Sequence, residues 1–105
     1  MHKLTVYIPE SHVEQVKQAL FDAGAGRYAH YDCCSWQALG QGQFRPLQGS
    51  CPFLGTKDQI ERIPEYRVET IMEDAAIPAV LQALKAAHPY EEPAYDLVRI
   101  LACAE

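Results

Sequence analysis

The order of strand and helix patterns constrains the fold of this chain more than any other feature of its sequence. Residues 94–101 are interpreted as a strand, and apolar residues recur at every second position in residues 4–8 and 59–73. They recur at helical spacing in two further stretches, which follow Ser11 and Asp74. With strands also expected in residues 28–47, the order is strand, helix, strand, strand, helix, strand. This order predicts an α+β fold of the ferredoxin-like βαββαβ type.

The boundaries of the two helices have local signals. Ser11 and Glu14 have the spacing of a capping box, which predicts that the first helix begins there. Gly24 is expected to end it, because glycine adopts the left-handed conformation of a helix C-terminus without strain. Pro78 is compatible with the second helix only within its first turn, and Pro89 ends that helix.

The middle of the chain predicts an extended hairpin. Residues 28–38 are rich in strand-forming side chains, and residues 43–47 are interpreted as the returning strand. Gly40-Gln41-Gly42 between them is a turn signal. Residues 48–58 contain two glycines and one proline and are expected to form a loop.

Two helices are enough to cover one face of the sheet, so the other face is expected to stay open unless a second subunit covers it. We therefore expect a homo-oligomer, with Trp36 and Phe44 of the hairpin at its interface. The residues expected to be buried are Leu4, Val6, Ile8, Val16, Leu20, Val68, Leu81, Leu84, Val98 and Ile100.

Size, charge and targeting signals narrow the class of protein. A chain of 105 residues is expected to form a single domain over residues 1–105. The net charge is −5 and the basic residues are scattered, so we expect no nucleic-acid binding. With no signal-peptide pattern and no long apolar run, we expect a cytoplasmic protein without membrane contact. The four cysteines, Cys33, Cys34, Cys51 and Cys103, should then remain reduced. The sequence contains no C-x-x-C pair, so we expect no structural zinc site of the usual spacing.

The segment HPYEEPAYD, residues 88–96, is the most unusual in the chain. It places His88, Glu91 and Glu92 within five residues, and imidazole and carboxylate groups are ligands of divalent metals. The alternative is a rigid turn between Pro89 and Pro93 whose carboxylates are solvated. If the three side chains bind a cation, replacing His88 should weaken affinity without lowering the melting temperature. A structural role predicts the reverse.

Two other segments were candidates for chemistry. On the expected strand, His30, Asp32 and Cys34 share a face, so His30 and Cys34 are candidate metal ligands, with core or surface roles as the alternative. The glycine-rich run from Gly40 to Gly55 fits neither the phosphate-loop nor the dinucleotide-binding pattern.

Five motifs together resemble a known family, the YqfO-type domain. They are Ala23-Gly-Ala-Gly26, Tyr31-Asp-Cys33, GQGQFRP at residues 40–46, Gly49-x-x-Pro52-x-x-Gly55 and HPYEEPAYD at residues 88–96. This domain is similar in fold to CutA and the PII signalling proteins. It occurs as an insert in larger proteins of the NGG-interacting-factor-like family, which carry a dinuclear metal centre and are often called type 2 GTP cyclohydrolases.

The resemblance implies a PII/CutA-like fold and a tendency to oligomerise, with a trimer as the first expectation and a dimer as the second. The larger proteins hold their metal ligands in flanking segments for which 105 residues leave no room, so we expect no enzyme. The leading hypothesis is a non-catalytic binding or regulatory module. Its expected ligand-binding residues are His88, Tyr90, Glu91, Glu92 and Arg45.

The alternative hypothesis is a divalent-metal or copper-binding protein that contributes to metal tolerance. Its expected metal ligands are His88, Glu91, Glu92, Cys34 and His30, since thiolate and imidazole groups suit copper and zinc. A thiol redox role for Cys33, Cys34 or Cys51 is a third hypothesis.

Overall fold

The fold of residues 1–101, which the computed structural model describes, is the predicted ferredoxin-like α+β arrangement. Four strands form one antiparallel sheet in the order β2-β3-β1-β4. The elements are β1 (His2–Pro9), α1 (Val13–Asp22), β2 (Ser35–Phe44), β3 (Glu61–Met72), α2 (Ile77–Ala87) and β4 (Tyr95–Arg99).

The core lies between the central strands and the two helices. In the pairing of β1 with β3, Val6 lies opposite Val68 and Leu4 opposite Thr70, so the buried parities of both strands coincide. Most of the predicted core is confirmed, while Leu81 is only partly buried. The residues with no exposed surface are Leu4, Val6, Ile8, Val16, Leu20, Ala25, Val68, Met72, Val80 and Leu84.

The predicted orientation of β4 is wrong by one residue. Leu97 pairs with Leu4 and therefore faces the helices, whereas Val98 faces the opposite side and is 51% exposed. Ile100, also predicted to be buried, lies just after the strand and is half-buried. The strand has apolar residues on both faces, so its pattern does not fix which face is inward. The pairing with β1 decides it.

Residues 28–34 form a turn and a loop, not the predicted strand. Tyr28 and Tyr31 exchange two backbone hydrogen bonds, of 3.0 and 2.9 Å, which closes a tight turn. Ala29 and Cys33 have positive φ angles of 52° and 54°, which are incompatible with an extended strand. His30, Asp32 and Cys34 consequently do not share a strand face.

The predicted hairpin over residues 28–47 is also wrong, because β2 runs straight through Gly40-Gln41-Gly42 and pairs with β3. Gly42 lies on β2 at a point where a Cβ atom would overlap the carboxylate of Glu65. Glycine here allows a side chain of the neighbouring strand to approach the backbone. The long hairpin is formed by β2 and β3 instead, with residues 45–60 as its connecting loop.

The two ends of α1 differ in how well the sequence predicts them. No side chain caps the N-terminus, where residues Glu10–His12 form a 3₁₀ turn and the Ser11 hydroxyl bonds the His12 ring, so the capping-box prediction is wrong. The predicted glycine end is confirmed, with a φ angle of 120° at Gly24. Gly26, at φ 80°, donates to the carbonyl of Ile71 and accepts from the amide of Cys34.

Within residues 1–101, neither helix has the length and apolar character needed to cross a bilayer. Cys33, Cys34 and Cys51 are free thiols in this part of the chain. The expectation that Cys103 is reduced concerns a residue outside the described range.

The orientation of β4 gives a matched pair of valine substitutions. We expect Val6→Ala to lower the free energy of unfolding by roughly 2 kcal/mol, because Val6 is fully buried. Val98→Ala should cost less than about 0.5 kcal/mol, the usual range for surface positions. Urea unfolding of both variants at one protein concentration measures the difference. Equal losses would show that Val98 is inward-facing after all.

Candidate functional site

A cavity of about 270 Å³ lies against the face of the sheet that the helices leave open. Tyr7 of β1 and Glu65 of β3 line it, and their parity is opposite to that of the buried Val6 and Val68. Two connections supply the other walls, the loop of residues 45–60 and the turn of residues 88–94 between α2 and β4. The cavity is therefore built by segments that are far apart in the sequence.

Four aromatic rings and two prolines are among the residues that line the cavity. The Tyr90 ring lines it and lies near two other lining rings, with its centroid 5.9 Å from that of Phe44 and 6.4 Å from that of Phe53. Phe53 in turn contacts the His12 ring edge-on, at 5.2 Å. The offset and tilted geometry of these rings is favourable for aromatic pairs. The contacts hold the loop of residues 45–60 over the sheet and leave apolar surface facing the cavity.

Glu65 is held in place by the phenol of Tyr90. The Tyr90 hydroxyl donates a 2.7 Å hydrogen bond to one carboxylate oxygen of Glu65. Burial of the ring, together with this bond to Glu65, raises the pKa of the Tyr90 phenol above its ordinary value of 10.0. Tyr90 therefore remains a neutral hydrogen-bond donor at any physiological pH.

Glu91 connects the two segments that cover the cavity. One of its carboxylate oxygens accepts a 3.1 Å hydrogen bond from the backbone amide of Cys51. This contact joins the turn of residues 88–94 to the loop of residues 45–60. Glu92 lines the same cavity and makes no hydrogen bond or ion pair within the described range of the chain. The two adjacent glutamates therefore differ in role.

His88 is a structural residue beneath the cavity. Its side chain is almost entirely buried, and Nε2 donates a 2.7 Å hydrogen bond to the carbonyl of Tyr7. Its Nδ1 accepts a 3.1 Å hydrogen bond from the backbone amide of Tyr90. These partners define one neutral tautomer, with the proton on Nε2. Desolvation lowers the pKa of His88 below its ordinary 6.5 and outweighs the bond to Tyr7 and the charge of Glu65, which raise it.

The structure brings together three of the five predicted ligand-binding residues. Tyr90, Glu91 and Glu92 line the cavity. His88 touches it only indirectly, through its ring contact with Tyr90 at 4.9 Å. Arg45 is exposed and is not among the residues that line the cavity.

The predicted metal ligands are not assembled into one site. Both nitrogens of His88 are engaged by the backbone, so it does not have the free lone pair that ligation requires, and its assignment as a ligand is corrected. Cys34 lies beside Thr70, whose hydroxyl bonds its carbonyl at 2.7 Å. Thr70 is five residues from Glu65 along β3, about 17 Å. His30 is exposed in the turn before β2, and residues 1–101 contain no group of three or more potential ligands.

Sequence reasoning missed Glu65 and Phe53, which are central to the cavity. Phe53 lies in Pro52-Phe53-Leu54, an apolar cluster in a glycine-rich loop, and that cluster was a usable signal because solvated loops are usually polar. Glu65 had no local signal. Its place in the site depends on the pairing of β3 with β1 and β2, which is long-range.

Curated relatives match one segment of their own sequence to this chain. The GTP cyclohydrolase 1 type 2 homologue of Mycobacterium leprae is 46% identical over 101 residues, which cover 96% of this chain and 26% of that protein. The Bacillus subtilis homologue is 42% identical over 97 residues, covering 92% and 26%. The chain thus spans about a quarter of the length of these relatives. No family model matches it.

Solved structures similar to this chain include a NIF3-related protein and CutA proteins. A Bacillus cereus protein related to NIF3 superposes with a TM-score of 0.78 at 41% identity, over 91% of this chain and 24% of that one. CutA1 from Pyrococcus horikoshii superposes with a TM-score of 0.71 at 15% identity, over 100% and 88%. PII-like CutA from Nostoc sp. PCC 7120 gives 0.67 at 14% identity, over 95% and 81%.

These findings confirm the resemblance inferred from the motifs. The chain is homologous to one segment of NIF3-related proteins, and it has the CutA/PII-like fold. The likeness to CutA proteins is at low identity and concerns the fold alone.

The bonds of His88 predict a pH-dependent stability. The folded protein holds His88 neutral and the unfolded chain protonates it near pH 6.5. The unfolded state therefore binds more protons below that pH, and stability should fall on acidification from about pH 7.5 to about pH 5. Chemical unfolding of the protein at several pH values measures the slope.

Two variants isolate the contribution of His88. At high pH, His88→Ala should lose roughly 2–4 kcal/mol, because it leaves the Tyr7 carbonyl and the Tyr90 amide without partners. His88→Gln keeps a donor and an acceptor but does not titrate, so it should retain more stability and show a shallower slope. A slope unchanged in His88→Gln would contradict the assignment.

Proposed function

We propose that this chain is a non-catalytic, homo-oligomeric binding module whose small-molecule ligand occupies the cavity at Tyr90. The observation that carries the proposal is the cavity itself, an aromatic-walled space with a few fixed polar groups. Small-molecule sites usually combine apolar walls with a small number of placed polar atoms. Its volume of about 270 Å³ is close to the lower end of the roughly 300–1,000 Å³ typical of such sites.

The state of His88 and of the Tyr90 phenol supports a binding role, and not a proton-transfer role, for these two groups. General acid–base chemistry needs a group that is free to exchange a proton with the ligand. His88 is committed to two backbone partners, and burial together with the bond to Glu65 raises the pKa of the Tyr90 phenol and keeps it protonated. The cyclohydrolase name of the relatives is not transferred, because the chain covers about a quarter of their length.

Exposed apolar groups on the open face and on β2 support homo-oligomerisation. Trp36 is 52% exposed on the open face of β2, with the Arg67 guanidinium 5.1 Å from its ring centroid. Val98 is exposed on the same face of β4. The strand β2 is at the sheet edge, and an unpaired edge of ten residues is a natural place for another chain. A trimer is our first expectation and a dimer our second.

Metal tolerance is not the function we propose. The fold neighbours include divalent cation tolerance proteins from Archaeoglobus fulgidus and Thermus thermophilus, at 16% and 17% identity, a level that concerns the fold alone. In this chain Cys34 and His30 are remote from Glu91 and Glu92, and His88 is engaged by the backbone.

Ligand binding is tested by screening the ¹⁵N-labelled protein against a mixture of small aromatic and aliphatic compounds by NMR. We expect binders to shift amide signals of residues 50–54 and 90–94. Phe53→Ala should weaken the affinity of these binders about tenfold, which corresponds to roughly 1.4 kcal/mol of binding free energy. Leu47→Ala, also exposed in the same loop but outside the cavity, is the matched control and should leave affinity unchanged.

The same samples test the absence of turnover. Spectra of each binder, recorded before and after incubation with the protein, should be identical. Consumption of a binder that stops in Phe53→Ala would overturn the non-catalytic part of the proposal, and the absence of any shift at the cavity would overturn the binding part.

Oligomerisation is tested by light scattering at micromolar concentration. We expect a mass of three, or otherwise two, times the 11.8 kDa of the chain. Trp36→Lys should shift the mass towards that of the monomer, because it places a charge at the exposed apolar surface. Tyr31→Lys, at an exposed aromatic in the turn before β2, is the control. A monomeric wild-type protein would refute the expectation.

A further inference from the structure

The charged side chains that line the cavity are all negative. Three carboxylates line it, those of Glu65, Glu91 and Glu92, and none of the described residues that line it is Lys, Arg or His. The whole chain also has a net charge of −5. An anionic ligand would therefore be desolvated next to negative groups without a compensating cation, which is costly.

Each carboxylate has acceptor capacity left for a ligand. An ionised carboxylate has about four lone-pair sites on its two oxygens. Tyr90 uses one oxygen of Glu65, and the Cys51 amide uses one oxygen of Glu91. These bonds fix the direction of both carboxylates while leaving the second oxygens available. Glu92, at the exposed rim, has no hydrogen-bond or ion-pair partner within residues 1–101.

The aromatic walls supply a second, independent attraction for the same kind of ligand. The rings of Phe44, Phe53 and Tyr90 surround the space, and the face of an aromatic ring attracts a cation. Aromatic faces beside carboxylates suit an organic ammonium group with apolar substituents. A bare divalent metal ion would instead need several oxygen or nitrogen ligands converging on one point, and no such group is present among residues 1–101.

We propose that the ligand of this cavity is a small organic cation, an amine or quaternary ammonium compound with an apolar group. This inference rests on the proposed binding function and specifies its ligand class. The apolar group packs against Phe44 and Phe53, and the cationic group lies at the rim near Glu91 and Glu92.

Three probes of similar size and different charge test the proposal: benzylamine, benzyl alcohol and benzoate. Each is titrated at neutral pH into the ¹⁵N-labelled full chain, with the amides of residues 50–54 and 90–94 as reporters. Benzylamine should bind at least about fivefold more tightly than benzyl alcohol, which is about 1 kcal/mol. Benzoate should bind most weakly.

Charge-neutralising variants locate the effect. Glu92→Gln should weaken the affinity for benzylamine and leave the affinity for benzyl alcohol unchanged. Stability should not change, because Glu92 has no hydrogen-bond or ion-pair partner within residues 1–101. The double variant Glu91→Gln and Glu92→Gln should remove most of the preference. Glu73→Gln makes the same change of net charge at the far end of β3 and should have no effect.

The outcomes separate the two proposals. If all three probes shift the cavity amides with similar affinity, or if Glu73→Gln matches Glu92→Gln, the cation preference is wrong and the binding function stands. If no probe shifts them, the binding function is wrong as well.

Discussion

The antiparallel pairing of β1 with β3 is the constraint on which the rest of the structure depends. It sets Val6 against Val68 at the centre of the sheet, so both strands bury the same parity under the helices. The opposite parity is fixed at the same time, and it places Tyr7 and Glu65 on the open face, where they line the cavity. A slip of one residue would exchange the two sets, turning charged residues into the core. Core packing therefore also fixes which residues of the two strands face the cavity.

The connections attach to this frame through a few polar contacts. His88 joins the end of α2 to the Tyr7 carbonyl of β1, and Glu91 joins the following turn to the amide of Cys51. The Tyr90 ring lies 4.9 Å from the His88 ring, centroid to centroid, and the Tyr90 hydroxyl donates to Glu65. Three residues of one short segment thus contact a strand, a loop and a second strand. The unusual composition of this segment reflects these tertiary contacts.

Patterns that repeat along one element were predictable from the sequence, and features set by distant contacts were not. The helical spacing of Val13, Val16 and Leu20 predicts α1, because this spacing is a local property of the sequence. The glycine that ends the helix is also a local signal. Residues 28–34 contain strand-forming side chains, but a hydrogen-bonded turn and two positive φ angles override that propensity. A glycine such as Gly42 is typical of a turn, but it is equally typical of a strand position where a neighbouring side chain approaches the backbone. Only the position of Glu65 on the neighbouring strand distinguishes the two cases.

The candidate site shows the same division. The string HPYEEPAYD was singled out from the sequence, and Tyr90, Glu91 and Glu92 of this string line the cavity. The role of His88 was not predictable, because spacing alone cannot show that both ring nitrogens meet backbone partners, one of them 81 residues away. Glu65 escaped notice for the same reason. It is an ordinary strand glutamate until the sheet pairing brings it to Tyr90.

The residues that line the cavity all lie between Tyr7 and Ala94 of the described part of the chain. Its floor comes from β1 and β3, its roof from the loop of residues 45–60, and its rim from the turn of residues 88–94. Every hydrogen bond and ring contact that orients its side chains also lies within this segment. The shape of the site is therefore a property of the small domain itself.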